Sequence, residues 1–301
     1  MRIRPGAVRA RTTVAASALI ALLGLVLSGC SGDDAGSMIS PSAVARPTAP
    51  ATPVPTTTST LRKATASDPL NYVALGDSYS SGMGGGKEVG ACRRSPNGYP
   101  HLLAKEKTIE LTSFPACAGA TTKDVLKKQL DVLDPSVDLV TITIGGNDLD
   151  VGLLPAACAK GQTKRCKAAV TASVDLLNTL QPKLDKTYQA IAKAAPNARI
   201  LVAGYPAFFD LPDLEKGNVN TDELSAAVAA DTAVASLDAT VETAVVKQRN
   251  AGTDIHFVDV SFLGHGVNST KPWFVLDGVD AYHPTAAGYK QYALTLHDYL
   301  G

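Results

Sequence analysis

The chain has 301 residues, 45% of them hydrophobic, and 28 basic side chains balance 28 acidic ones to a formal charge of +0. A neutral chain with only 5% aromatic residues and no basic run in its globular part has no electrostatic footprint for nucleic acid. A nucleic-acid role is therefore not expected.

The first segment carries Arg2, Arg4, Arg9 and Arg11, then an apolar run over residues 14–27, then Leu27-Ser28-Gly29-Cys30. That run is shorter than the roughly 20 residues needed to span a bilayer, and small residues stand before a cysteine where cleavage would fall. Residues 1–29 therefore read as an export signal. The Leu-Ser-Gly-Cys ending resembles a bacterial lipobox, which implies that Cys30 becomes the lipid-modified first residue of a mature protein; an ordinary cleaved signal and an uncleaved anchor are the alternatives. Residues 30–67 follow as a tether, with Pro41, Pro47, Pro50, Pro53 and Pro55 among Thr, Ser and Ala. So little apolar surface cannot offset the entropy of ordering it, and as a random coil the tether would span roughly 35 Å. The expected location is the outer face of a bacterial cell membrane, with release to the medium as a variant.

Residues 68–301 have the composition of a single domain of about 230 residues. Short apolar runs recur at residues 72–75, 109–111, 139–144, 200–203 and 255–260. Between them lie helical patterns: Leu176, Leu177, Leu180, Leu184, Tyr188 and Ile191 form one stripe that ends near Pro196, and further helices are expected over 222–249 and 286–299. Alternating buried strands and helices predict an α/β fold with a parallel sheet covered on both faces. Ligands bind such sheets beyond the carboxyl ends of the strands, so the loops after the first three runs mark where chemistry is expected.

Those loops read Gly76-Asp77-Ser78, Ala116-Cys117-Ala118-Gly119-Ala120 and Gly145-Gly146-Asn147-Asp148. Acyl transfer needs a nucleophile, a base, a group that orients the base, and donors for the oxyanion. Ser78 is the candidate nucleophile and, through its own N–H, a first oxyanion donor. Gly119, where a missing side chain lets the backbone approach a substrate, is the second, and the Asn147 amide the third. Asp280-Ala281-Tyr282-His283 ahead of the last helix offers His283 as base and Asp280 as the carboxylate that fixes its tautomer. Asp77 and Tyr79 are expected to hold the loop.

In this order the four blocks resemble those of the SGNH (GDSL) hydrolases. The resemblance covers residues 70–298. It implies a flavodoxin-like three-layer α/β/α domain, Ser78 as nucleophile, Gly119 and Asn147 as oxyanion donors, and Asp280 with His283 completing a triad. A closer resemblance is to secreted bacterial SGNH lipases and esterases, through the cysteines near the active-site loops and the stretch Phe262-Leu263-Gly264-His265-Gly266 before Pro272-Trp273. Some of those enzymes hold the base with a backbone carbonyl instead of an acid; the presence of Asp280 leads us to expect the full triad. They commonly carry a third disulfide that this chain lacks.

Besides Cys30 there are four cysteines, which in an oxidising compartment pair as two disulfides in one of three ways, reduced thiols being the alternative. The sequential pairing is expected: Cys158 with Cys166 around a short polar loop, and Cys92 with Cys117 around a longer one worth roughly 3 to 4 kcal/mol of chain entropy. Gly82-Met83-Gly84-Gly85-Gly86-Lys87-Glu88 departs from a P-loop and reads as a mobile loop beside Ser78. Ser80 stands where a Gly-x-Ser-x-Gly nucleophile elbow needs glycine. His265 fits a structural hydrogen-bonding role better than a pocket-bordering one, and His101, His256 and His297 show no metal-ligand spacing, so neither metal nor cofactor is expected.

The leading expectation is a monomeric serine ester hydrolase acting on a lipid or acylated small molecule through an acyl-enzyme. An O-deacetylase or acyltransferase on envelope glycans or glycolipids would use the same residues, and an anchored binding module with a vestigial site is the non-enzymatic alternative.

Overall fold

The computed structural model describes residues 61–211 and 220–300. The export signal, Cys30 and the Pro-rich stretch up to residue 60 lie outside the described residues. The domain begins earlier than its composition suggests. Residues 61–67, expected in the tether, are bonded to the fold: the Arg62 guanidinium makes paired 2.8 and 2.9 Å hydrogen bonds to the Asp138 carboxylate, and Leu61 and Ala64 pack on the core.

Five strands form one parallel sheet: β1 (Leu70–Gly76), β2 (Ile109–Ser113), β3 (Leu139–Thr143), β4 (Arg199–Ala203) and β5 (Ile255–Val258), in the order β2-β1-β3-β4-β5. Every residue of β3 is buried, as a central strand covered on both faces requires, whereas the edge strand β2 buries only Ile109 and exposes Glu110 and Thr112. The expected runs are all present, β1 and β2 slightly longer and the third and fifth slightly shorter.

The helices are α1 (Ser78–Ser81), α2 (Tyr99–Leu103), α3 (Thr122–Lys128), α4 (Leu154–Cys158), α5 (Lys164–Ala194), α6 (Thr221–Asn250) and α7 (Ala286–His297). Right-handed crossovers place α3, α5 and α6, which lead from left to right across the sheet, on one face, and α2, which leads the other way, on the opposite one. The contacts agree: α5 packs against α3, α4 and α6, while α7 packs against α2. The predicted stripe is the buried face of α5, where Leu180, Leu184, Tyr188 and Ile191 are fully buried. Facing it, α6 supplies Ala226, Ala230, Ala233 and Ala244, whose small side chains let the two long helices lie close.

The strand order reverses at β1, because the chain leaves β1 for β2 on one side and returns to β3 on the other. The loops after β1, β2 and β3 thus converge over one crevice at the carboxyl edge of the sheet.

Candidate active site

Gly76 ends β1 with φ +117, where a Cβ would run into the Thr143 carbonyl and the Ser80 hydroxyl. Glycine is required there to turn the chain off the strand. Asp77 then caps α1 by accepting the Tyr79 N–H at 2.9 Å, which leaves Ser78 as the first helical residue with its own N–H unused by any described acceptor. Ser78 is 7% exposed, so its hydroxyl is reachable only through the mouth of the crevice.

The imidazole of His283 meets that hydroxyl, with Nε2 2.9 Å from Ser78 Oγ. The other ring nitrogen, Nδ1, lies 3.2 Å from the carbonyl oxygens of both Asp280 and Ala281. Two carbonyls can only accept, so Nδ1 carries the proton and Nε2 presents its lone pair to the serine. Burial lowers the His283 pKa; the two carbonyls and the Asp280 charge act against this, and the Arg93 charge acts with it. The imidazole is therefore neutral at neutral pH, as a base must be before it acts.

Here the structure corrects the expectation for Asp280. Its carboxylate does not reach His283; it binds Arg93, with Nη2 2.6 Å from Oδ2 and in contact with Oδ1 as well. The reason is local. Tyr282 adopts φ +66, and the tight turn points the carbonyls of residues 280 and 281 at the ring while the side chain of Asp280 leaves on the other side. Tyr79 supports the turn by donating its hydroxyl to the Tyr282 carbonyl at 2.9 Å.

Gly119 follows β2 at φ +78 with open space where a Cβ would be, and no described acceptor takes its N–H. The disulfide Cys92–Cys117 and the Ala118 N–H bonded to the Cys92 carbonyl at 3.1 Å fix this loop beside the strand ends. Asn147 follows β3. Its Nδ2 donates one hydrogen to the Ala120 carbonyl at 2.9 Å, joining the second and third loops and leaving the other hydrogen available. Next to it, Asp148 accepts both the N–H and the hydroxyl of Thr122, at 2.9 and 2.8 Å. The second disulfide joins Cys158 to Cys166, so both bridges follow the sequential pairing.

Three contributors carry no motif in the sequence. Arg93 is one, held at φ +53 between the disulfide and Asp280. Tyr205, just after β4, is another: its hydroxyl donates to the buried Asp77 carboxylate and accepts the Gly146 N–H at 3.0 Å, so one group ties the Ser78 turn to the Asn147 turn. Its position two residues past a buried strand was the available signal. The third, Tyr289, donates to the Met83 carbonyl at 2.7 Å. That bond helps hold the loop expected to be mobile: Glu88 accepts the N–H groups of Gly84 and Gly86, Asn97 binds the Gly85 carbonyl, and Ser95 binds that of Gly86.

His265 stacks on Trp273 with ring centres 3.7 Å apart and shares its Nδ1 with the Lys271 carbonyl, a structural role. Among the described residues no cluster of His, Cys, Asp or Glu fits a metal ion. A cavity of about 930 Å³ between α6, β5 and the loop after β4 includes Tyr205 in its wall but neither Ser78 nor His283; a hollow of about 380 Å³ borders Gly119.

A family model described as GDSL-like Lipase/Acylhydrolase family matches residues 74–291. Lipase 1 of Streptomyces coelicolor is 38% identical over 227 residues, covering 72% of this chain and 81% of the relative. A lipase of Streptomyces rimosus is 40% identical over 227 residues, covering 72% and 82%. Two solved structures resemble the fold at a TM-score of 0.68: the extracellular lipase from Streptomyces rimosus, at 36% identity over 76% of this chain and 99% of that one, and phospholipase A1 from Streptomyces albidoflavus NA297, at 34% identity and the same coverage of 76% and 99%.

Proposed function

We propose that this chain, which belongs to the GDSL-like Lipase/Acylhydrolase family and is a carboxylic ester hydrolase, cleaves its esters through an acyl-enzyme on Ser78 with His283 as the sole side-chain base. The observation that carries the reading is the 2.9 Å contact between Ser78 Oγ and His283 Nε2. His283 takes the serine proton as Oγ attacks the ester carbon. The N–H groups of Ser78 and Gly119 and the free Asn147 amide hydrogen receive the oxyanion, each donor worth about 100-fold in rate or more. Nε2–H then protonates the leaving alcohol. The same nitrogen activates the water that releases the acid and regenerates Ser78.

The imidazolium formed in each half-reaction is held by the carbonyls of Asp280 and Ala281, so the catalytic set is a dyad held by backbone rather than a carboxylate triad. Lipid esters are the substrate class, in keeping with the relatives' names, lipase and phospholipase A1. The extracellular lipase among them supports export. In this reading residues 1–29 direct export, Cys30 carries the lipid that holds the protein at the outer membrane face, residues beyond it form the tether, and the catalytic domain acts as a monomer.

Treatment with a fluorophosphonate followed by peptide mass spectrometry tests the nucleophile. The adduct belongs on Ser78 and should vanish in His283→Ala; an unlabelled protein, or an adduct elsewhere, would refute the assignment.

A further inference from the structure

Among the described residues the large apolar side chains that stand furthest into solvent are not scattered. Val89, Leu153, Leu211, Leu263 and Val279 are 61% to 88% exposed, and no other passes 55%. All five lie on connections that follow the carboxyl ends of strands: Val89 after β1, Leu153 after β3, Leu211 after β4, Leu263 and Val279 after β5. That edge of the sheet is the one that holds Ser78.

Each of Val89, Leu153, Leu263 and Val279 has a glycine beside it, namely Gly90, Gly152, Gly264 and Gly278. A Cβ on any of these glycines would meet nothing within 4 Å, so each pair sits at a tip in open space. Three of the glycines turn the chain at φ +67, +81 and +79. The tips are tied to the catalytic parts. Val89 pairs with Arg94 across a turn whose Arg93 binds Asp280, the residue after Val279; Leu263 lies in the loop that Trp273 joins through the His265 carbonyl.

Three carboxylates near the tips are turned inward. Glu88 accepts the N–H groups of Gly84 and Gly86, Asp280 is neutralised by Arg93, and Asp210 accepts the N–H groups of Gly264 and Gly266. Lys87, Asp150 and Asp277 stay exposed nearby with mixed sign, and the tips themselves are apolar, on separate loops at the carboxyl edge of the sheet. A protein partner needs a continuous complementary patch, and a second copy seated on these tips would cover its own entrance. A fluid surface accepts separated apolar tips, each gaining from the water it leaves.

We propose that Val89, Leu153, Leu263 and Val279 form a docking face for a zwitterionic phospholipid surface, which sets the Ser78 crevice against lipid. The proposal rests on the lipid-ester reading above, and its test separates the two. Trp273 is the only tryptophan of the chain and lies in this face's supporting layer. With vesicles of dibrominated phosphatidylcholine, the full chain carrying Ser78→Ala should show quenched Trp273 fluorescence, whichever way its N-terminus is held. The combined substitutions Val89→Ser, Leu153→Ser, Leu263→Ser and Val279→Ser should raise the lipid concentration for half-quenching by roughly 10-fold or more. In an otherwise active chain the same four changes should leave hydrolysis of a water-soluble acetate ester within about twofold. Quenching that is absent, or unchanged by the four substitutions, overturns the proposal. So does a parallel loss of soluble-ester hydrolysis, or a lipid-free dimer that the substitutions dissociate. Quenching abolished by the substitutions, in a chain with no esterase activity, would keep the docking face while removing the hydrolase reading.

Discussion

Arg93 and Asp280 form a half-buried ion pair, Nη2 to Oδ2 2.6 Å, between the loop that carries the Cys92–Cys117 disulfide and the turn that carries His283. The pair occupies the one carboxylate that the spacing of residues 280 and 283 offers to the base. In the proposed mechanism the orienting role falls to the carbonyls of Asp280 and Ala281, which no side-chain substitution removes.

Asp280→Asn should therefore lower kcat by less than about tenfold, whereas a triad held by its carboxylate loses about 10⁴-fold on the same change. Steady-state hydrolysis of a p-nitrophenyl ester decides between them.

Opposite shifts of the acid limb of kcat/KM are expected from the two halves of the pair. Activity rises with pH as His283 loses its proton, and Arg93 lowers that pKa while Asp280 raises it. Arg93→Gln removes a nearby cation and leaves the anion, so its limb moves to higher pH; Asp280→Asn moves the limb to lower pH; Arg93→Lys leaves it in place. A pH–rate profile in which the first two move together would show that the pair acts through folding alone.

Tyr205→Phe deletes the hydroxyl shared by Asp77 and Gly146. Burial already pushes the Asp77 carboxyl up to about 7, against the hydrogen bonds of Tyr205 and the neighbouring N–H groups. With the bridge gone, a buried carboxyl and a buried N–H each lose a partner, at a cost of about 1 to 3 kcal/mol in urea unfolding. Because the bridge holds the Ser78 and Asn147 turns together, kcat should fall with KM little changed.

Asp238 makes stability depend on pH. Burial raises its carboxyl to about 8, opposed by the Tyr205 N–H and reinforced by Asp259 and Glu242. A carboxyl raised in the fold above its ordinary value of 3.8 holds a proton that the unfolded chain releases. Its contribution to stability is complete below about pH 4 and is lost as pH rises towards 8. Asp231, raised to about 6 by burial, and Asp77 act in the same sense. Melting temperature should fall over that window, and Asp238→Asn should flatten the fall; an equal slope in the variant would assign the dependence to other groups.

The main features were legible because each rests on a local rule. Ser78, Gly119 and Asn147 stand in the connections that leave β1, β2 and β3, and parallel strands bring those connections to one edge of the sheet. His283 was legible from its place before the last helix. The side chain of Asp280 was not, because spacing fixes which residues share a loop but leaves open the positive φ of Tyr282 that decides between carbonyl and carboxylate. Arg93, Tyr205 and the Arg62–Asp138 contact act across 187, 128 and 76 positions of chain, where no periodicity or motif reports a partner. The glycines of residues 82–88 suggest freedom, but besides Glu88 the groups that restrain the loop, Asn97, Ser95 and Tyr289, lie outside it.

Ser78 is the residue on which the proposed chemistry depends most directly. Hydrolysis of a soluble p-nitrophenyl ester by Ser78→Ala, with folding verified by its melting curve, should fall about 10⁴-fold or more, to near the background rate. A folded Ser78→Ala protein that retains activity within tenfold of the parent would contradict it.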